Sequence, residues 1–178
     1  DSPGRVLSQL VFSSAFPDHP YGRPVIGSEE SVRSFDRDAV LEFYRAWYRP
    51  ENLTMVVAGD VEPDRVRHWV ESRLPNRSGA APERVARGRT QPFGEVRVGL
   101  ARMDVQESQI QVAWPAPDVR DPHVAALDLL AVVLGTGDSS RLHRRLVRDE
   151  RIASEAYAYC HTPTGPGLFG VGADVQGE

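Results

Sequence analysis

Apolar side chains return every three or four positions over Val6, Leu7, Leu10, Val11 and Phe16. That spacing predicts an amphipathic helix, entered at Ser2 with Pro3 in its first turn and stopped at Pro17. The period then breaks. His19 to Phe35 (HPYGRPVIGSEESVRSF) combines a proline-bracketed turn, the Tyr21-Gly22 pair, Pro24 and Gly27, and reads as a rigid connector between helices. Asp36 is the expected cap of a second helix, whose inner stripe is Val40, Leu41, Tyr44, Trp47 and Tyr48, with Pro50 at its end. Leu53 to Ala58 (LTMVVA), short, apolar and closed by Gly59-Asp60, predicts a central strand. Pro63 then opens a helix with Val66, Trp69, Val70 and Leu74 on its inner face, behind Glu62, a weaker cap than Asp.

From Pro75 to Pro92 the apolar period is lost in Asn, Ser, Gly, Ala, Pro and Arg, which predicts a linker over 76–92 between parts 1–75 and 93–178. Two alternating strands follow, Glu95 to Met103 and Gln109 to Trp114, the second stopped by Pro115-Ala116-Pro117. Asp121 and Pro122 predict the start of a helix that is apolar nearly all round from Val124 to Leu134, hence buried on several sides, with Gly135 as its left-handed end. Ser139 or Ser140 caps the next helix, which buries Leu142, Leu146 and Ile152. Ala153 to Thr162 and Gly167 to Val175 read as strands joined by a turn at Pro163 to Pro166.

Composition narrows the chemistry. The 178 residues are 40% hydrophobic with a net charge of −4, enough for one or two compact domains. Opposite charges alternate along the chain, so neither nucleic acid nor anionic lipid is an expected partner. All 21 basic residues are Arg, which excludes Schiff-base chemistry and a phosphate-loop lysine. Cys160, the one cysteine, forms no internal disulfide. The longest apolar run, Val124 to Leu134, is interrupted by Asp128 and too short to span a bilayer. The ends, with Asp1 in place of an initiator Met, suggest a piece of a larger or processed protein.

Motifs that tempt a chemical reading fail on spacing. His68-Trp69-Val70-Glu71 is followed by Ser72 where an inverted zinc motif needs a second imidazole on the same helical face. Gly135-Thr136-Gly137-Asp138-Ser139-Ser140 follows a helix rather than a strand and has no Lys, so it is no phosphate cradle. Cys160 and His161, adjacent on a strand, point to opposite faces and make no dyad. No G-x-S-x-G elbow is present, and His19, His68, His123, His143 and His161 stand singly.

Two stretches carry a resemblance that spacing alone would not give. HPYGRPVIGSEESVRSF, continued through FDRDAVLEFYRAWYRPENLTMVVAGDVEPDRV, resembles the insulinase/pitrilysin family of inverted H-x-x-E-H zinc metallopeptidases, and LGTGDSSRLHRRLVRDERIASEAYAY resembles the early part of that family's second, zinc-free repeat. The resemblance implies an α+β fold, helices packed in two layers on a mainly antiparallel sheet, similar to the mitochondrial-processing-peptidase-like metallohydrolases. On that basis 1–75 is the later half of the first repeat and 93–178 the early half of the second.

It also implies zinc in the parent protein but no cofactor, no metal ligand and no catalytic residue in this chain, since the zinc-binding motif lies upstream of Asp1. The expected role is a non-catalytic part of a zinc metalloendopeptidase, forming chamber wall and scaffold that hold peptide or unfolded protein against a zinc-bearing half or partner subunit. The alternative is a module of an inactive or core-type subunit. A homodimer is a further expectation, through sheet edges left open. An Arg and a later Tyr that contact substrate in some family members fall here on Val147 and Ser154, with Arg148 one position off, an α-helical step of about 100°.

Overall fold

The computed structural model describes residues 2–74 and 94–176. Its sheet is organised around β3 (Gly167–Gln176), which pairs antiparallel with β1 (Glu107–Ala116) on one side and β2 (Glu155–His161) on the other. Alternation sorts the side chains. Phe169, Val171, Cys160 and Ala158 share one face with Trp114 and Val112, and Leu168, Gly170 and Gly172 share the other with Ala113 and Gln111. Pro115 is tolerated because β1 lies on an edge of this sheet.

The chain divides into two compact units that do not follow its order. One comprises Asp1–Val25 with Arg87–Glu178, the other Ile26–Ala86. The first 25 residues thus pack with the second half of the chain, whereas the sequence divides by position at 76–92, a stretch outside the described residues.

In the first unit α1 (Pro3–Ala15) lies on the sheet, and Ala15, Phe16 and Leu168 form a core with Val11, Phe12, Tyr21 and Ala113 against them. Leu168 is fully buried and Phe16 is 2% exposed. A 3₁₀ turn at Pro20–Gly22 follows, entered by His19, whose Nδ1 accepts the Tyr21 N–H at 3.2 Å. Gly22 is obligatory there: a Cβ would stand 2.1 Å from the Phe16 carbonyl oxygen. On the opposite face α5 (Val124–Gly135) contributes Ala131 to a second core with Ala116 and Phe169.

Several expectations are corrected here. Helix α5 is buried along one stripe only, with Leu129, Val132 and Val133 more than half exposed, because the sheet supplies just one covering layer. Gly135 is not left-handed; it is the last helical residue and lets the helix touch β2, where a Cβ would meet the Ala158 nitrogen at 2.0 Å. The left-handed residue is Gly137, φ 75°. Asp121 does not cap α5 but forms the turn before it, accepting the His123 N–H at 2.8 Å. The run Glu95 to Met103 forms no strand, and Val96, Val98 and Leu100 are exposed; it lies beside α1, with Arg97 donating to the Ser14 carbonyl at 2.6 Å.

The second unit is helical. The connector carries a helix that the sequence reading missed, α2 (Glu29–Ser34), closed by a capping box in which Ser28 and Ser31 exchange hydrogen bonds. Asp36 caps α3 (Arg37–Trp47) as expected, accepting the Ala39 N–H at 2.7 Å. Helix α4 (Pro63–Glu71) begins at Pro63. Leu53 to Ala58 forms no strand, because no partner strand exists for it among the described residues of this unit. The stripes of α3 and α4 are only partly covered: Leu41, Trp47, Val66 and Val70 are half-buried, while Val40, Tyr44, Tyr48 and Trp69 are at least half exposed.

Candidate functional site

The stretch between Gly137 and Ser154 holds the positions that the resemblance singles out. It follows α5 as a short turn and then a π-helical segment, His143–Asp149, closed by the Glu150 N–H donating to the Arg145 carbonyl at 2.9 Å. Wider turns rotate less per residue, so the α-helical step expected between Val147 and Arg148 does not apply here. Arg151 then takes φ 55°, a left-handed conformation uncommon for a side-chain-bearing residue. That bend lets the Ile152 and Ala153 N–H groups both donate to the Leu146 carbonyl, at 3.0 and 3.3 Å.

Val147 is half-buried on the π segment, and Ser154 is exposed just before β2. Their immediate neighbours Leu146 and Ala153 are joined by that hydrogen bond, so the backbone draws the two positions into one local structure. Ser154 is held there by two bonds to the Asp174 carbonyl, from its N–H at 2.8 Å and its hydroxyl at 3.2 Å. Ser140 starts the segment without capping it: its hydroxyl is buried and has no hydrogen-bond partner among the described residues.

Arginines dominate the surface of this stretch. Arg145 is engaged by Glu150 at 2.8 Å, and His143 stands 3.8 Å from Asp138. Arg141, Arg144 and Arg148 are exposed and make no ion pair among the described residues. The sequence reading noted only Arg148. The signal for the other two was the density of Arg between Arg141 and Arg151.

The donors present do not fit a zinc centre. Among the described residues no three His, Cys, Asp or Glu side chains converge. His19 is buried with Nδ1 occupied, His123 leans on Asp121, and His161 packs edge-on against Phe12 with ring centroids 5.2 Å apart. His68 is exposed on α4, and Ser72 turns its hydroxyl back to the Trp69 carbonyl at 2.9 Å. Cys160 faces the Phe169 core while His161 faces Phe12 on the opposite side of β2. Burial, and then Asp128, pushes the Cys160 thiol up, away from the thiolate a nucleophile requires. An open groove of about 420 Å³ in the second unit is lined by Met55, Val57, Val61, Pro63, Val66 and Val70, with Arg67 and Glu71 as its charged residues. No helix among the described residues is long and apolar enough to cross a membrane.

The family model described as the peptidase M16 inactive domain matches residues 34–178. An uncharacterized zinc protease of Mycobacterium leprae is 33% identical over 162 residues, covering 89% of this chain and 36% of that protein. The chain therefore spans well under half the length of such curated relatives. Among solved structures, a protease from Helicobacter pylori aligns with a TM-score of 0.78 at 25% identity, over 98% of this chain and 43% of that one. A chain of complex III2 from Candida albicans aligns over 99% of this chain and 43% of its own with a TM-score of 0.73, at 20% identity, a likeness of fold alone. With helices on an antiparallel three-stranded sheet and a family match over most of its length, the chain belongs to the peptidase M16 inactive-domain family.

Proposed function

We propose that this chain is a non-catalytic part of a zinc metalloendopeptidase, forming chamber wall and scaffold that hold an unfolded peptide against a zinc-bearing half. The observation that carries the reading is the inactive-domain match over residues 34–178. The dispersed donors support it, since a zinc peptidase needs three ligands and a carboxylate around one open position. In this reading residues 1–75 are the later half of one repeat and 93–178 the early half of the next, and Val147 and Ser154 touch substrate. The zinc resides in the parent's other half, which is the chain's first partner; pairing with a second copy through open sheet edges is a further one.

Zinc quantification on the purified chain, together with hydrolysis and binding of a fluorogenic unstructured peptide, tests this. The expected result is saturable peptide binding without stoichiometric zinc or turnover. One tightly bound zinc with turnover overturns it. A second reading, a purely structural module of an inactive or core-type subunit, draws on the same fold occurring in complex III2. An intact H-x-x-E-H with a downstream Glu ahead of Asp1 in the parent favours the first reading, and its absence the second.

A further inference from the structure

We propose that Arg141, Arg144 and Arg148 form a docking face for acidic peptide segments, giving the substrate-holding surface a preference for carboxylate-bearing stretches. This rests on the peptide-holding reading above and adds to it the class of peptide.

Three observations carry it. The first is the missing neutralisation. Arg141 to Arg151 contains five Arg against Asp149 and Glu150, in a chain whose net charge is −4. Of the nearby carboxylates, Glu150 is committed to Arg145 and Asp138 lies beside His143, while Asp149, exposed next to Arg148, makes no ion pair with any arginine of the segment. That leaves Arg141, Arg144 and Arg148 exposed and without an ion pair among the described residues, three like charges within one short segment. As a device for stability the arrangement is unfavourable. A carboxylate partner reverses its sign.

The second is the donor chemistry. A guanidinium is planar, permanently charged and weakly hydrated, and its fork matches a carboxylate with two parallel N–H···O bonds. Three such groups spaced along a helical segment offer an extended peptide several successive carboxylate contacts.

The third is the mount. The segment is fixed at both ends, by the Arg144 N–H to the Ser140 carbonyl at 2.9 Å and by the paired N–H groups of Ile152 and Ala153 on the Leu146 carbonyl. It contains a π turn and the left-handed Arg151, two uncommon backbone conformations that concentrate at functional sites. A rigid mount reduces the entropy lost when a partner docks.

The test is fluorescence anisotropy of the full chain with three labelled unstructured peptides of equal length, in which Gly and Ser alternate with Glu, Gln or Arg. At low salt the Glu peptide is expected to bind about tenfold more tightly than the Gln peptide, and the Arg peptide more weakly than either. The preference should collapse at high salt, where screening acts within about 3 Å. Arg144→Glu with Arg148→Glu should reverse the order of the Glu and Arg peptides; the salt titration of the unaltered chain tests the proposal even if that variant misfolds.

Equal binding of Glu and Gln peptides overturns the acidic preference while leaving the peptide-holding reading intact. A single-stranded DNA of matched charge that binds as tightly as the Glu peptide also overturns it, since the face then takes any polyanion. Binding of none of the peptides removes both.

Discussion

The two compact units have similarly patterned sequences and opposite outcomes. In the first, apolar side chains find a second layer: Leu168 and Phe16 vanish between α1 and the sheet, and Phe169 meets α5. In the second, among the described residues, α2 and α3 form behind side-chain caps and α4 behind Pro63, yet Val56 is 85% exposed and Trp69 57%. The difference is one between local and non-local chemistry. A helix closes its own hydrogen bonds and needs only its caps, whereas a strand and a buried face each need a partner from elsewhere in the chain. Beside its helices the second unit has an apolar run and a groove, Leu53 to Ala58 and the surface by Val66, that lack such a partner among the described residues.

The comparison breaks most directly at the cores. Leu168→Ala should cost about 2–5 kcal/mol in urea unfolding, while Val56→Ala should change stability by less than about 0.5 kcal/mol. Equal losses would mean that the exposed run is covered in solution. Gly135→Ala adds a methyl against the Ala158 nitrogen and should destabilise the first unit by about 1–3 kcal/mol, read as a lower urea midpoint.

Asp36→Ala removes the cap of α3 and should cost about 0.5–2 kcal/mol, visible as faster hydrogen exchange at Ala39 and its neighbours with the first unit unaffected. Spread of that loss into the sheet would mean that the two units unfold together.

The smallest effect is confined to alkaline pH. Burial, and then Tyr157, pushes the Tyr159 hydroxyl up to about 12, while Gln111 donates a hydrogen bond to its oxygen. An unfolded tyrosine gives up its proton near about 10, so between these values the unfolded state binds fewer protons and stability falls as pH rises. The contribution is whole below about 10 and lost through about 12. Absorbance titration at the phenolate band should show Tyr159 ionising only near about 12, and Tyr159→Phe should flatten the alkaline stability slope in that window.

What could be read from the sequence follows the same local boundary. Asp36, Pro63, the alternation from Gln109 to Trp114 and the Pro163 to Pro166 turn lie where they were expected, because each is specified within a few residues. Ser28 was legible as a cap but was passed over, being followed three residues later by Ser31 rather than the usual Glu. Leu53 to Ala58 and Glu95 to Met103 have strand character but no partner strand among the described residues, which alternation cannot reveal.

The candidate site was legible in part. Val147 and Ser154 came from resemblance. The π turn and the bend at Arg151 could not, since no residue type marks a switch from i→i+4 to i→i+5 bonding. Without that geometry the arginines read as alternating charge; the hydrogen-bonded acids and exposed cations separate only in three dimensions.

One consequence follows from the place of β3. It is the last of the described strands to be synthesised, yet it stands between the other two, whose backbones do not pair with each other. On a ribosome β1 and β2 would emerge and wait with bare edges, and the sheet would assemble only as the Gly167–Gln176 stretch left the exit tunnel. During that interval the edges that β3 will cover are open to other chains, and the nascent protein is most vulnerable to clumping.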